Sequence, residues 1–212
     1  MSRSLPPDRD PADAPAGDAQ RAALERRAAL AAAGYAGEEG TVRAALGDEE
    51  PAVRAAALAA LVRHGWATPA DAERAVSDPA AAVRVAACEL APRLASAPYR
   101  TLLSDPAPEV VEAAAFACGE ISDAAAVPDL CAVARQHEDP LCREAAVAAL
   151  GAIGDPGGKA AILAALADLP AIRRRAVIAL AAFSGPDVEA ALRARLEDRD
   201  WQVRQAAEEL LD

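Results

Sequence analysis

Aromatic residues make up only 3% of this 212-residue chain, although 53% of it is hydrophobic. Alanine therefore carries much of the apolar content, and it favours helices that pack closely. Cationic charge is also short: 22 Lys and Arg against 33 Asp and Glu leave a net charge of −11. That balance opposes non-specific nucleic-acid binding, which rests on neutralising phosphates, and it favours a basic partner. The cysteines Cys88, Cys118, Cys131 and Cys142 form no CxxC pair and no zinc-ligand spacing. The opening "MSRSLPPDRDPADAPAG" lacks the apolar core of a secretory signal. No uninterrupted apolar run approaches the roughly 20 residues of a membrane span. The expectation is a cytoplasmic protein with reduced thiols, not bound to membrane or nucleic acid.

What the chain has instead is repetition. A β-branched or small apolar residue followed by a slot, usually arginine, recurs at Val53–Arg54, Val83–Arg84, Val110–Val111, Cys142–Arg143, Ile172–Arg173 and Val203–Arg204. The slots at 54, 84, 111, 143, 173 and 204 lie 30, 27, 32, 30 and 31 residues apart. Pro precedes the slot by three residues at Pro51, Pro108, Pro140 and Pro170, and Asp lies just upstream in every copy. Small residues follow at slot +2 and +3 in most copies, and Leu sits at slot +7 in Leu61, Leu150, Leu180 and Leu211. Registered periods of this length mark repeat architectures.

Each copy reads as a helix start. Asp is a good N-cap, Pro is tolerated in the first turn, and the apolar spacing is helical. These segments are called B helices. In "DPLCREAAVAALGAIGDPGG", Gly151 and Gly154 are expected to close the helix. Shorter amphipathic A helices are expected at about 39–46, 69–76, 97–103, 124–135, 157–167 and 186–196. Residues 18–33 read as a capping helix and residues 1–17 as a disordered tail. The predicted fold is all-α: an α-α superhelix over residues 18–212, with about six helix pairs plus the N-terminal cap.

Helix pairs with "D-x(2–5)-[VI]-R-x-A-A-x(3)-L" resemble HEAT repeats, and more closely the short HEAT-like repeats of phycobilisome bilin lyases. The likeness covers about residues 38–212. It implies a right-handed, armadillo-like solenoid whose B helices line a concave face and whose Asp and Arg slots form a ladder between repeats. Arg54, Arg84, Arg143, Arg173 and Arg204 would then be structural. The physics agrees, because a buried guanidinium without a partner costs several kcal/mol. The third copy departs: Val111 takes the slot, and Pro92 interrupts the helix before it.

A B-helix stripe at slot +1, +5 and +8 or +9 is polar without structural need. It holds Glu89, Arg93, Glu112, Phe116, Glu120, Glu144, Arg174, Gln205 and Glu209. This mostly acidic row suits a partner with basic side chains. Trp201 reads as a helix-start staple and Trp66 as turn packing. Catalytic patterns are scarce: only His64 and His137 are present, His137–Glu138 is a single dyad, and no phosphate loop, GxSxG or HExxH occurs. The cysteines sit among apolar helix residues and read as core. The expected function is a non-catalytic, cofactor-free, monomeric scaffold that binds another protein. The alternative, by analogy with the bilin lyases, is a lyase-like enzyme or chaperone for a tetrapyrrole or other small ligand.

Overall fold

The computed structural model describes residues 14–94 and 98–211, all helix and connecting loop, in two compact units, Met1–Ala67 and Thr68–Asp212. In the first unit α1 (Ala14–Ala36) packs on α2 (Glu39–Ala44) and α3 (Pro51–Arg63). Helix α1 begins inside the stretch expected to be a tail and runs past residue 33; residues 1–13 lie outside the described residues. Gly37, at φ 78°, makes the turn that follows it.

The second unit begins with α4 (Pro69–Val76) and α5 (Ala81–Glu89), then α6 (Pro108–Glu120), α7 (Val127–Gln136) and α8 (Pro140–Ile153). It closes with α9 (Lys159–Ala165), α10 (Pro170–Ala179), α11 (Pro186–Arg195) and α12 (Trp201–Leu211). The B helices α5, α6, α8, α10 and α12 pack each on the next, and A elements pair with them. Positions slot −1, +3 and +4 point inward, as in Val110, Ala114 and Ala115, or Ile172, Ala176 and Val177. With so many alanines, this core depends on close backbone approach rather than on bulky side chains.

Several local expectations are corrected. The segment expected as an A helix at 97–103 is a 3₁₀ turn, Tyr99–Ser104, entered at Pro98; residues 95–97 lie outside the described residues. Helix α5 stops at Glu89 and Pro92 lies in a 3₁₀ turn, as its missing N–H requires. Tyr99 fills the core there, with its hydroxyl donating to the Leu94 carbonyl at 3.2 Å, and burial pushes that hydroxyl's pKa up to about 12. Gly151 does not end α8. It lies inside the helix, and Gly154 at φ 69° is the C-cap. Trp201 is no staple: it opens α12 and is 61% exposed.

The repeat aspartates mostly do not cap helices either. Asp48, Asp78, Asp105 and Asp198 accept the amide two residues on, from Glu50, Ala80, Ala107 and Asp200, and so fold the loop before the helix. Asp139 does cap α8, accepting from Leu141 N–H at 2.8 Å. A full capping box occurs at α4: the Thr68 hydroxyl accepts Asp71 N–H at 3.3 Å, and Asp71 Oδ2 accepts Thr68 N–H at 2.9 Å. Thr68→Ala should remove about 1 kcal/mol of stability, read as a lower urea midpoint by circular dichroism. An unchanged midpoint would show that the cap is redundant.

Candidate interaction face and arginine ladder

Every ladder arginine is placed by the same loop. Arg54 Nη1 donates to the Asp48 and Glu49 carbonyls, Arg84 Nη1 to those of Asp78 and Pro79, and Arg143 Nη1 to those of His137 and Glu138. Arg173 and Arg204 do likewise with the carbonyls of Asp168 and Asp198. In Arg84, Arg143 and Arg173 the rest of the guanidinium reaches the next repeat. Arg84 grips Asp105 through Nε at 2.7 Å and Nη2 at 2.8 Å. Arg143 grips Asp168 at 2.8 and 3.0 Å, and Arg173 grips Asp198 at 3.0 and 2.7 Å. These forked pairs are shielded from water, the Arg173–Asp198 side chains being 5% and 4% exposed.

The carboxyl pKa values respond accordingly. The hydrogen bond from Arg143 holds Asp168 below the usual carboxylate range, and that from Arg173 does the same to Asp198. At Asp105, burial pushes upward, but the Arg84 hydrogen bond, the Ala107 N–H and the Arg84 charge together outweigh it, and the carboxyl is again lowered.

The junction from the third to the fourth copy is built differently. Val111 is fully buried, and the Cys142 thiol bonds the Pro108 carbonyl at 3.2 Å across the repeats. Here α6 and α8 approach closely: a Cβ on Gly119 would lie 3.0 Å from Ala149 Cα.

One ladder member escapes the sequence pattern. Arg26 of α1 pairs with Asp48 (Nε to Oδ2 3.0 Å), and its Nη2 donates to Oδ1 at 3.2 Å. The Nε–H makes no hydrogen bond, so this pair is one hydrogen bond plus a charge contact. The signal was present: Arg26 lies 28 residues before Arg54, with Ala28 and Ala29 at slot +2 and +3. Glu25 stands where the other copies carry an apolar residue, which hides it.

The structure brings together Glu89, Glu112, Phe116 and Glu120. With Glu109, they ring a groove of about 480 Å³ at the α5/α6 seam, floored by Val85, Cys88, Ala113 and Ala117. Phe116 is 47% exposed, in a chain that has only two phenylalanines. Glu109 sits in the first turn of α6, where the helix dipole favours its charge. The other row members lie elsewhere. Arg93 is exposed in the 3₁₀ turn after α5, and Glu144 pairs with Arg175 at 3.3 Å. Arg174, Gln205 and Glu209 line a second groove, of about 450 Å³, between α10 and α12, and Gln205 donates to Glu209 at 2.9 Å.

The nucleophile candidates are held inert. Burial pushes the thiols of Cys88 and Cys118 up to about 12 and that of Cys142 to about 11, and it raises Cys131 as well. His137 Nδ1 accepts the Asp139 amide at 3.1 Å. Among the described residues no three His, Cys, Asp or Glu side chains gather as a metal site, and no helix is long and apolar enough to cross a membrane. In the first unit Trp66 stacks on His64 at 4.8 Å, and Tyr35 meets His64 edge-on at 5.9 Å. Cys88, Cys118, Cys131 and Cys142 all lie in the other unit.

Residues 96–172 match the family of HEAT repeats. An engineered protein of known structure is similar over 82% of this chain and 95% of its own, at 19% identity and a TM-score of 0.61. Escherichia coli YibA is similar over 80% of this chain and 68% of its own, at 18% identity and a TM-score of 0.58. Human deoxyhypusine hydroxylase, solved with glycerol, covers 90% of this chain and 79% of its own at 24% identity, but its TM-score of 0.48 is too low to carry an argument. A search of curated proteins gives no match. Identities this low speak for fold alone. The registered helix pairs, the HEAT-repeat match over residues 96–172 and the first two neighbours give the chain a HEAT-like repeat fold.

Proposed function

We propose that this protein is a cytoplasmic, monomeric, non-catalytic scaffold that binds a partner protein along its B-helix face. The observation that carries the reading is the α5/α6 groove. There, four carboxylates surround an exposed phenylalanine over an apolar floor, and among the described residues no cation lines it. A Lys or Arg side chain fits that chemistry: its stem covers the floor, its charge meets the carboxylates, and Phe116 offers a π-face. Solenoids present extended faces of this kind. The raised thiol pKa values support a structural role for the cysteines.

The test is a crosslinked pull-down from the native cell with wild type and the triple variant Glu112→Lys, Phe116→Ala, Glu120→Lys, after circular dichroism has shown equal helicity. Partner recovery should fall at least about tenfold, the loss of one good anchor. Equal recovery by the two proteins would refute this face as the docking site. Glu144 is left intact because its pairing with Arg175 would confuse binding with folding.

A further inference from the structure

The two grooves occupy the same place in different repeats. At the α5/α6 seam the lining comes from Glu89 (slot +5), Glu112 (+1) and Phe116 (+5). At the α10/α12 seam it comes from Ile178 (+5), Gln205 (+1) and Glu209 (+5). One periodic face therefore carries both, but their chemistry differs. The first is acidic and aromatic. The second is aliphatic, with Ile178 41% and Leu210 37% exposed, and Arg174 and Glu209 balance in charge.

The ground between them is low. Ala148, Gly151 and Ala152 line a third depression, of about 410 Å³, that shares Ile178 with the second groove; Arg175, held by Glu144, also lines it. At the α6/α8 seam the helices lie nearly flush, since even a methyl on Gly119 would crowd Ala149. A chain crossing this stretch meets no tall side chain at slot +5 or +8 of α8.

We infer that this face reads an extended segment of a partner protein at two points, a Lys or Arg in the α5/α6 groove and an aliphatic residue in the α10/α12 groove. The inference rests on the docking face proposed above and adds a fixed spacing. The B helices run α5, α6, α8, α10, α12, so the grooves are three repeat steps apart. At 8–10 Å per packed helix the separation is about 25–30 Å. An extended chain rises about 3.3 Å per residue, which sets the two anchors about eight or nine residues apart. Gln202 and Gln205 at the second groove carry amides suited to a peptide backbone, so the aliphatic anchor is held beside polar groups rather than in a closed pocket. Charge complementarity fixes which end goes where: the four glutamates select the basic anchor, and the neutral groove has no reason to.

The test is selection of a phage-displayed random 16-residue peptide library against the full chain, in parallel with Phe116→Ala and Ile178→Asp. Wild type should enrich peptides carrying a basic and an aliphatic residue eight or nine positions apart. Phe116→Ala should lower enrichment of the basic position about tenfold and spare the aliphatic one, and Ile178→Asp should do the reverse. Enriched peptides that depend on Phe116 but share no second anchor at fixed spacing would overturn this inference and leave the docking face standing. No enrichment on wild type would overturn both.

Discussion

Arg173→Ala should remove about 3–5 kcal/mol of unfolding free energy, because it strips the cation from a carboxylate that the fold has buried. Arg173 spends three donors on two neighbours: Nε and Nη2 on Asp198, and Nη1 on the Asp168 carbonyl at 2.8 Å. Without it, Asp198 keeps the Asp200 amide at 2.9 Å and a longer contact to Arg195 at 3.5 Å, which puts the loss at the lower end of that range. Asp198→Ala in the same background should cost less than it does alone, with a coupling of about 0.5–3 kcal/mol. Arg174→Ala is the control, since its exposed neighbour should change stability by no more than about 0.5 kcal/mol. Urea denaturation separates the cases, and equal losses from Arg173→Ala and Arg174→Ala would mean that the ladder is ornamental.

The same pairs set the acid response. The carboxyls of Asp105, Asp168 and Asp198 titrate lower in the folded protein than in the unfolded chain. Their stabilisation is therefore complete above the unfolded value near 4, and it is lost as pH falls from there through the folded values. Wild type should lose stability below about pH 4 more steeply than the Arg173→Ala, Asp198→Ala double variant. Parallel curves would exclude the Arg173–Asp198 pair as a source.

Gly151→Ala is expected to cost up to about 2 kcal/mol net, against the usual benefit of alanine in a helix. The added methyl would lie 2.6 Å from Ala179 Cβ and 2.8 Å from Ala179 Cα, so α8 and α10 must move apart. Overpacking of about 1–3 kcal/mol exceeds the propensity gain of about 1 kcal/mol because the obstacle is backbone, which cannot rotate away. Gly40→Ala in α2 meets nothing within 4 Å and should be neutral or stabilising. Thermal melts of the two variants decide the matter. If Gly151→Ala melted as high as Gly40→Ala, the close approach of α8 and α10 would not matter to stability.

Much of this was legible beforehand because a repeat states its architecture several times. The arginine slots at 84, 143 and 173 recur in register, and the helix-start signals at Pro108, Pro140 and Pro170 are local chemistry. Local chemistry also misleads where tertiary contact overrides it. Gly151 looks like a stop and is a point of contact, because only Ala179, nearly thirty residues on, gives the glycine its purpose. Trp201 reads as a helix-start staple but stands exposed at the head of its helix. Glu144 looked equivalent to Glu112 along the row, but Arg175 neutralises only the former.

The sequence by itself determined the all-α repeat, its period of about thirty residues, the recurring arginine slots and the acidity of the face, because each depends on residue type and spacing within one copy. Only the tertiary structure decided which aspartate each arginine grips, that Arg26 of the capping helix serves as one more ladder member, and that four of the candidate residues converge on one groove while the rest lie elsewhere. Those outcomes depend on how one copy sits on the next. That is set by backbone approach at residues such as Gly119 and Gly151, where the absence of a side chain is what shapes the contact.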